Sequence, residues 1–285
     1  NLDNTGSGGA VTLTSDGTDL LLGGTAIGGA PLYAANESSP GAQPSATGAN
    51  AVAIGDSAVA GGVDAFSFGV GASASGAYGI AIGRGTTASG DDSIALVGFS
   101  TASGTDAMAF GDTAVASGNY SISFGGDTDA TGFASVAIGK DAQSVGSRST
   151  AIAKSYASGA DSFAAAIVTN TSSYGATGAN GVALGYQAKC ANQYGVAIGY
   201  QVVLDSGGSG VAIGKGARAA NNSISIGQND FGGGVNYAQG QASIAIGQNN
   251  LAQLAGSVVV GNHGWSNTVG KYVYSHGYLS GQGNA

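Results

Sequence analysis

The side chains with the most obvious chemical reach in this sequence are His263, His276, Cys190, the carboxylates Asp91, Asp92, Asp127 and Asp129, and twelve tyrosines. His263 and His276 have no nucleophile and no orienting acid at a recognisable spacing, so both read as structural residues and no catalytic residue is expected. The aspartates could supply oxygen ligands to a cation. However, the Gly-Gly-x-Gly-x-Asp calcium nonapeptide is absent, and solvated turn residues are the reading adopted. Gly232-Gly233-Gly234 lacks the helix start and lysine that would cradle a phosphate. No cofactor and no metal are therefore expected. A lone cysteine excludes an intrachain disulfide and a zinc cluster, and Cys190 stands where other repeats carry Ala or Ser, so it reads as a small buried apolar residue.

Aromatic side chains are the remaining candidates for recognition. Tyr186 and Tyr200 lie one repeat period apart, each within Gly-Tyr-Gln, and should stack on adjacent turns. Tyr194 follows its anchor Leu184 at the same offset by which Tyr78 and Tyr120 follow Phe68 and Phe110. With Phe231 and Tyr237 of an inserted loop, these form the expected recognition surface: Tyr186, Tyr200, Tyr194, Phe231 and Tyr237. Exposed tyrosines can stack on sugars or anchor a protein partner. The competing reading is a tyrosine ladder that seals a turn or a chain–chain seam.

A short phrase must position all of these residues. It reads large apolar, Ala or Ser, large apolar, Gly, as in Val52-Ala53-Ile54-Gly55, Phe66-Ser67-Phe68-Gly69 and Ile80-Ala81-Ile82-Gly83. Its second apolar residue recurs with one fixed fourteen-residue period, at Ile54, Phe68, Ile82, Leu96, Phe110, Phe124, Ile138 and Ile152. Gly62, Gly76, Gly90, Gly104, Gly118, Gly132 and Gly146 share that period. Two glycine punctuations per period leave segments too short for helices and right for strands. The alternation puts both large side chains on one strand face, and the following stretch alternates small residues such as Ala72 and Ala74. A thin, parallel β-solenoid with two strands per turn follows. The small middle residue hardly varies, which predicts that its face packs against another backbone. A narrow coil offers none there, so a second copy of the chain is expected to supply it, and the chain should be an obligate homo-oligomer. The alternative is that this Ala lines the coil interior beside the Ile.

Beyond Ile152 the register loosens. Ala164-Ala165-Ala166 is read as keeping the regular step, extra residues precede Val182, and Asn229 to Gln239 form an inserted loop. The expected organisation is an N-terminal β/loop segment over 1–45, a roll of about fifteen repeats over 46–262 with outside loops near 167–181 and 229–239, and a capping segment over 263–285. Thr25-Ala26-Ile27-Gly28 already resembles the phrase. Charged residues reach only 8%, and the formal net charge of −8 makes nucleic acid an improbable partner. No signal peptide or membrane-spanning run is visible, so membrane insertion of this segment is not expected, and the start at Asn1 suggests part of something longer.

Ser135-Val136-Ala137-Ile138-Gly139-Lys140-Asp141-Ala142-Gln143-Ser144, with its counterparts from 50 to 261, resembles the head repeats of trimeric autotransporter adhesins, the YadA-like heads. The resemblance implies an all-β, left-handed parallel β-roll assembled as a homotrimer, extracellular and non-enzymatic. Similar repeats occur in phage tail fibres and virion appendages, and residues 270–284 look like segments that follow them there. The favoured expectation is a trimeric attachment fibre of a phage tail or virion that meets a cell-surface receptor or glycan. The head of a bacterial adhesin is the alternative, and a polysaccharide-cleaving tailspike is a second one.

Overall fold

The computed structural model describes residues 42–168, 173–205, 207–229 and 235–276, and the backbone of three short strands before them. Chain contacts divide the protein into residues 1–43 and 44–285. In the first unit Leu13–Ser15 pairs antiparallel with Leu20–Leu22, as the intervening Asp16-Gly17 turn signal predicts. Thr25–Ala26 pairs antiparallel with Leu20–Leu22. This piece of the phrase therefore closes a small antiparallel sheet and starts no coil.

The second unit is a parallel β-solenoid, and no helix occurs among the described residues. Each turn carries one strand of three to five residues and one of two. Stacking yields two sixteen-stranded parallel sheets. The wide sheet runs from Val52–Ile54 to Tyr272–His276 and the narrow sheet from Ser45–Ala46 to Trp265–Ser266. Register is set rung on rung: Ile80 faces Ile94, Ala81 faces Ala95, and Ile82 faces Leu96. Sixteen coils at ~4.8 Å per strand give a stack of roughly 70 Å. The last wide strand pairs Val258 with Tyr272 and Val260 with Tyr274, so stacking continues into the segment expected to close the roll.

The packing inverts one expectation. The small middle residue does not face a second chain. Ala81 and Ala95 are fully buried inside their own coils in one cluster with Ala74, Ala88 and Ala102 of the narrow sheet, and Ala137 and Ala151 in another with Ala130 and Ala157. The large apolar residues on either side point outward, and Phe68 and Phe124 remain 48% and 50% exposed. The Ala-in-the-interior reading is right for Ala and wrong for its Ile partners. The reason is thickness. Two sheets of one thin coil lie too close for more than a methyl, so alternation sends every bulky neighbour outside. Where serine takes the middle slot it reaches a carbonyl: Ser67 Oγ donates to Ala72 O at 2.9 Å and Ser123 Oγ to Thr128 O at 2.9 Å.

The second glycine series is explained by crowding. Gly76 shows no left-handed φ, but a Cβ there would lie 2.0 Å from the carbonyl oxygen of Gly90 in the next coil. The glycine closing the phrase does need its conformation, with φ +134° at Gly69. One register reading is corrected. Ile152 pairs with Ala165 and Gln143 with Tyr156, so one residue is missing at the corner and the step there is 13. Ala164, not Ala165, therefore fills the interior slot. The corner is shortened at Ala153, Lys154 and Ser155, where Ser155 N–H reaches the Ala153 carbonyl at 2.7 Å.

Two substitutions test this packing. Gly76→Ala should cost at least about 3 kcal/mol in denaturant unfolding, since backbone must move to admit the methyl. Ser121 Oγ is buried without a partner, while Ala65 and Ala107 occupy the matching slot. Ser121→Ala should hold or raise the melting temperature, whereas Ser123→Ala should lose about 1 kcal/mol with its hydrogen bonds.

Candidate functional site

Every coil has two corners, and side chains at equivalent corners line up along the stack because the register repeats. Tyr186 and Tyr200 follow the closing glycines of adjacent wide strands and stack with ring centroids 4.9 Å apart and planes 10° from parallel. The next residue of each coil repeats the pattern in amides: Gln201 Nε2 donates to Gln187 Oε1 at 2.9 Å. Tyr194 sits at the opposite corner with φ 55°, as do Tyr78 and Tyr120, all three more than half exposed. Tyr237 lies on the narrow sheet, and Phe231 lies outside the described residues, as do Gly232, Gly233 and Gly234. The structure thus brings Tyr186 and Tyr200 together and leaves Tyr194 and Tyr237 on separate faces.

Tyr237 belongs to a cluster that spacing alone did not mark. Arg218 pairs with Tyr237 and Tyr237 with Leu251 across the narrow sheet, and Leu251 with Trp265. In a two-residue strand whose second residue is buried, the first faces out, so these four side chains form one outward row. The Arg218 guanidinium lies 4.8 Å from the Tyr237 ring centroid and donates to Asp205 at 2.9 Å. Tyr237 Oη donates to the same Asp205 oxygen at 3.2 Å. Burial pushes the Tyr237 phenol above its usual range, and the neighbouring Asp205 charge adds to this. Trp265 Nε1 donates to Gln253 Oε1 at 3.1 Å. The signal in the sequence was the pair of register breaks at 205–210 and 229–236, which bracket Arg218 and deliver Tyr237 onto its strand.

The other face of these coils carries a shallow open groove of about 610 Å³. Gly214, Gly227, Gly247 and Gly261 line it, with Ile213, Ile226, Lys215 and the Gln228 and Gln248 side chains. Here the wide strands lengthen to five residues, which carries Gln228, Gln248 and Asn262 into register.

The residues first considered for acid–base or metal chemistry are dispersed. His263 makes a 3.1 Å contact to Asn249, and His276 is exposed on the last strand. Cys190 is fully buried, which raises its thiol pKa, in the slot it shares with Ala176 and Leu204. Asp127 accepts from Thr113 Oγ1 at 2.6 Å and pairs with Lys140 at 3.4 Å. Asp129 is not at a turn but on a narrow strand, where burial raises its pKa. Among the described residues no group of three or more His, Cys, Asp or Glu is placed to hold a metal ion, and no helix is long and apolar enough to cross a membrane.

The YadA head domain repeat matches residues 46–72, 74–96, 102–128, 130–152, 176–201 and 238–263, more than half of the chain. The chain belongs to the YadA head repeat family. The family matches fall on the coils described above and pass over 153–175 and 202–237, the stretches where the register of this YadA-type head breaks. No curated protein matches the chain. YadA heads are adhesin-type domains of surface-exposed proteins, which makes the outward rows of this head the surfaces of interest.

The Asp205 network makes a specific electrostatic prediction. Asp205→Asn removes the negative charge that adds to the raised Tyr237 pKa, so that pKa should fall towards the ordinary phenol value, leaving the part caused by burial. NMR titration of labelled tyrosines should show one resonance moving to lower pH and the others unchanged.

Proposed function

We propose that this head is a non-enzymatic attachment-fibre module made of three copies of the chain, carried on a phage tail or virion and presenting a host-recognition surface outside the cell. The observation that carries the reading is the outward face of the wide sheet. Ile82, Phe110, Phe124, Ile138 and Ile152 stand in one exposed row, with Phe110 and Phe124 stacked at 4.8 Å. A parallel row runs beside it through Val52, Met108 and Ile122. Soluble monomers rarely leave a contiguous apolar patch beyond a few hundred Å². Covering this one against other copies would gain on the order of 1 kcal/mol for each large side chain removed from water. Self-association thus follows from the large residues, through a face opposite to the one that the invariance of the small residue suggested. Three copies in place of another number are supported by the likeness to YadA heads. A bacterial adhesin head is the second reading, and the match to the YadA head repeat supports it as well.

Light scattering on the purified protein should give three times the mass of one chain. Phe124→Asp together with Ile138→Asp should shift it to lower mass while β-rich circular dichroism persists. A well-folded monomer of the unaltered chain sinks the proposal.

A further inference from the structure

We infer that the outward row of Arg218, Tyr237, Leu251 and Trp265, with Asp205 and Gln253, is a binding site for a neutral oligosaccharide lying along the coil stack. The inference rests on the proposed self-association, which consumes the wide sheet and leaves the narrow sheet facing outward. Four observations lead to it. First, the row changes character where the register breaks. Its earlier members are mostly small or polar, as at Ser73, Thr87 and Thr101, with Tyr156 as a lone ring and Lys189 as a lone cation, whereas its later ones are, on successive rungs, a guanidinium, a phenol, an aliphatic chain and the only tryptophan of the protein. Insertions in solenoids concentrate on the working face.

Second, the charges cancel. Asp205 holds Arg218 at 2.9 Å and the Tyr237 hydroxyl at 3.2 Å, so the row presents fixed, planar hydrogen-bonding groups with no excess charge. That suits a ligand of hydroxyl groups better than a phosphate or a basic peptide. Third, the rings are held before any ligand arrives. Trp265, 44% exposed, is tied through its indole N–H to Gln253, and Tyr237 is tied to Asp205 and stacked under Arg218. Prior fixing of aromatic side chains lowers the entropy lost on binding. Aromatic rings offer flat apolar faces to the C–H face of a pyranose, while the flanking polar groups reach its hydroxyls. Fourth, the row is one side chain wide with rungs ~4.8 Å apart, close to the advance of one sugar ring along an extended chain. A protein partner would need roughly 800 Å² of surface. The row offers a strip instead.

Trp265 is a built-in reporter, being the single tryptophan. The assembled protein is titrated with cellohexaose, maltohexaose, mannohexaose, galactohexaose and chitohexaose while tryptophan emission is followed. A saturable change with at least one of them is expected. Tyr237→Ala and Arg218→Gln should each weaken it at least tenfold, and Thr101→Ala, far along the same row, should leave it unchanged. No saturable change with any of the five, or equal affinity in Tyr237→Ala, overturns the site. Light scattering on the same samples separates the two levels. A trimer silent to every sugar sinks this inference alone, whereas a folded monomer sinks the reading beneath it.

Discussion

Through most of the stack the two sheets of a coil lie so close that little more than a methyl or a hydroxymethyl fits between them, and most of this protein follows from that thinness. The interior from Ala60 to Ala164 is a column of alanines and serines with two threonines, Thr86 and Thr128. Such a core removes little apolar surface from water per residue, so it cannot hold an isolated coil together against the entropy of ordering it. Stability comes from repetition: each strand hydrogen-bonds to the coil on either side, and each coil has little beyond its neighbours. The same thinness brings backbone against backbone at Gly76 and its equivalents, where a single Cβ would strike a carbonyl of the next turn.

Thinness also decides the surface. A wide strand with alternating residues must send one set inward and the other outward. When only small residues fit inside, the large apolar set is left in water. A globular domain places its large residues in the core and faces solvent with polar ones; this coil reverses the arrangement. The protein therefore carries an exposed apolar face, the one that the proposed self-association would cover. Towards the C-terminal end the restriction eases. Val202, Leu204 and Val259 are buried inside later coils, and Asn250 bridges the carbonyls of Ile246 and Gly261 at 2.7 Å each. Those coils also carry the longer strands, the insertions, and the outward cluster around Arg218.

Charge follows the same axial division. Asp56, Asp64, Asp91, Asp92, Asp106, Asp112, Asp127 and Asp129 share the coils before Val136 with one basic residue, Arg84. Lys140, Arg148, Lys154, Lys189, Lys215, Arg218 and Lys271 all lie beyond them. Several late charges are already paired, as in Arg148 with Asp161 at 2.6 Å, which holds that carboxyl below its usual range. The exposed pairs contribute little to stability, and the seven basic residues beyond Asp129 outnumber the four acidic ones there.

The sequence by itself determined the repeat, the two strands per turn, the parallel stacking and the corners, because each depends on the local spacing of apolar and glycine residues. It also placed Tyr186 on Tyr200, since a fixed period fixes which residues share a rung. Only the tertiary structure decided which side of the wide strand is the inside: alternation names two faces and gives no sign, and the sign is set by the distance between the two sheets. It also decided the one-residue shortening before Phe163, which three consecutive alanines conceal. The Asp205–Arg218–Tyr237 network lay equally out of reach, because its members are joined across two register breaks and no sequence period relates them.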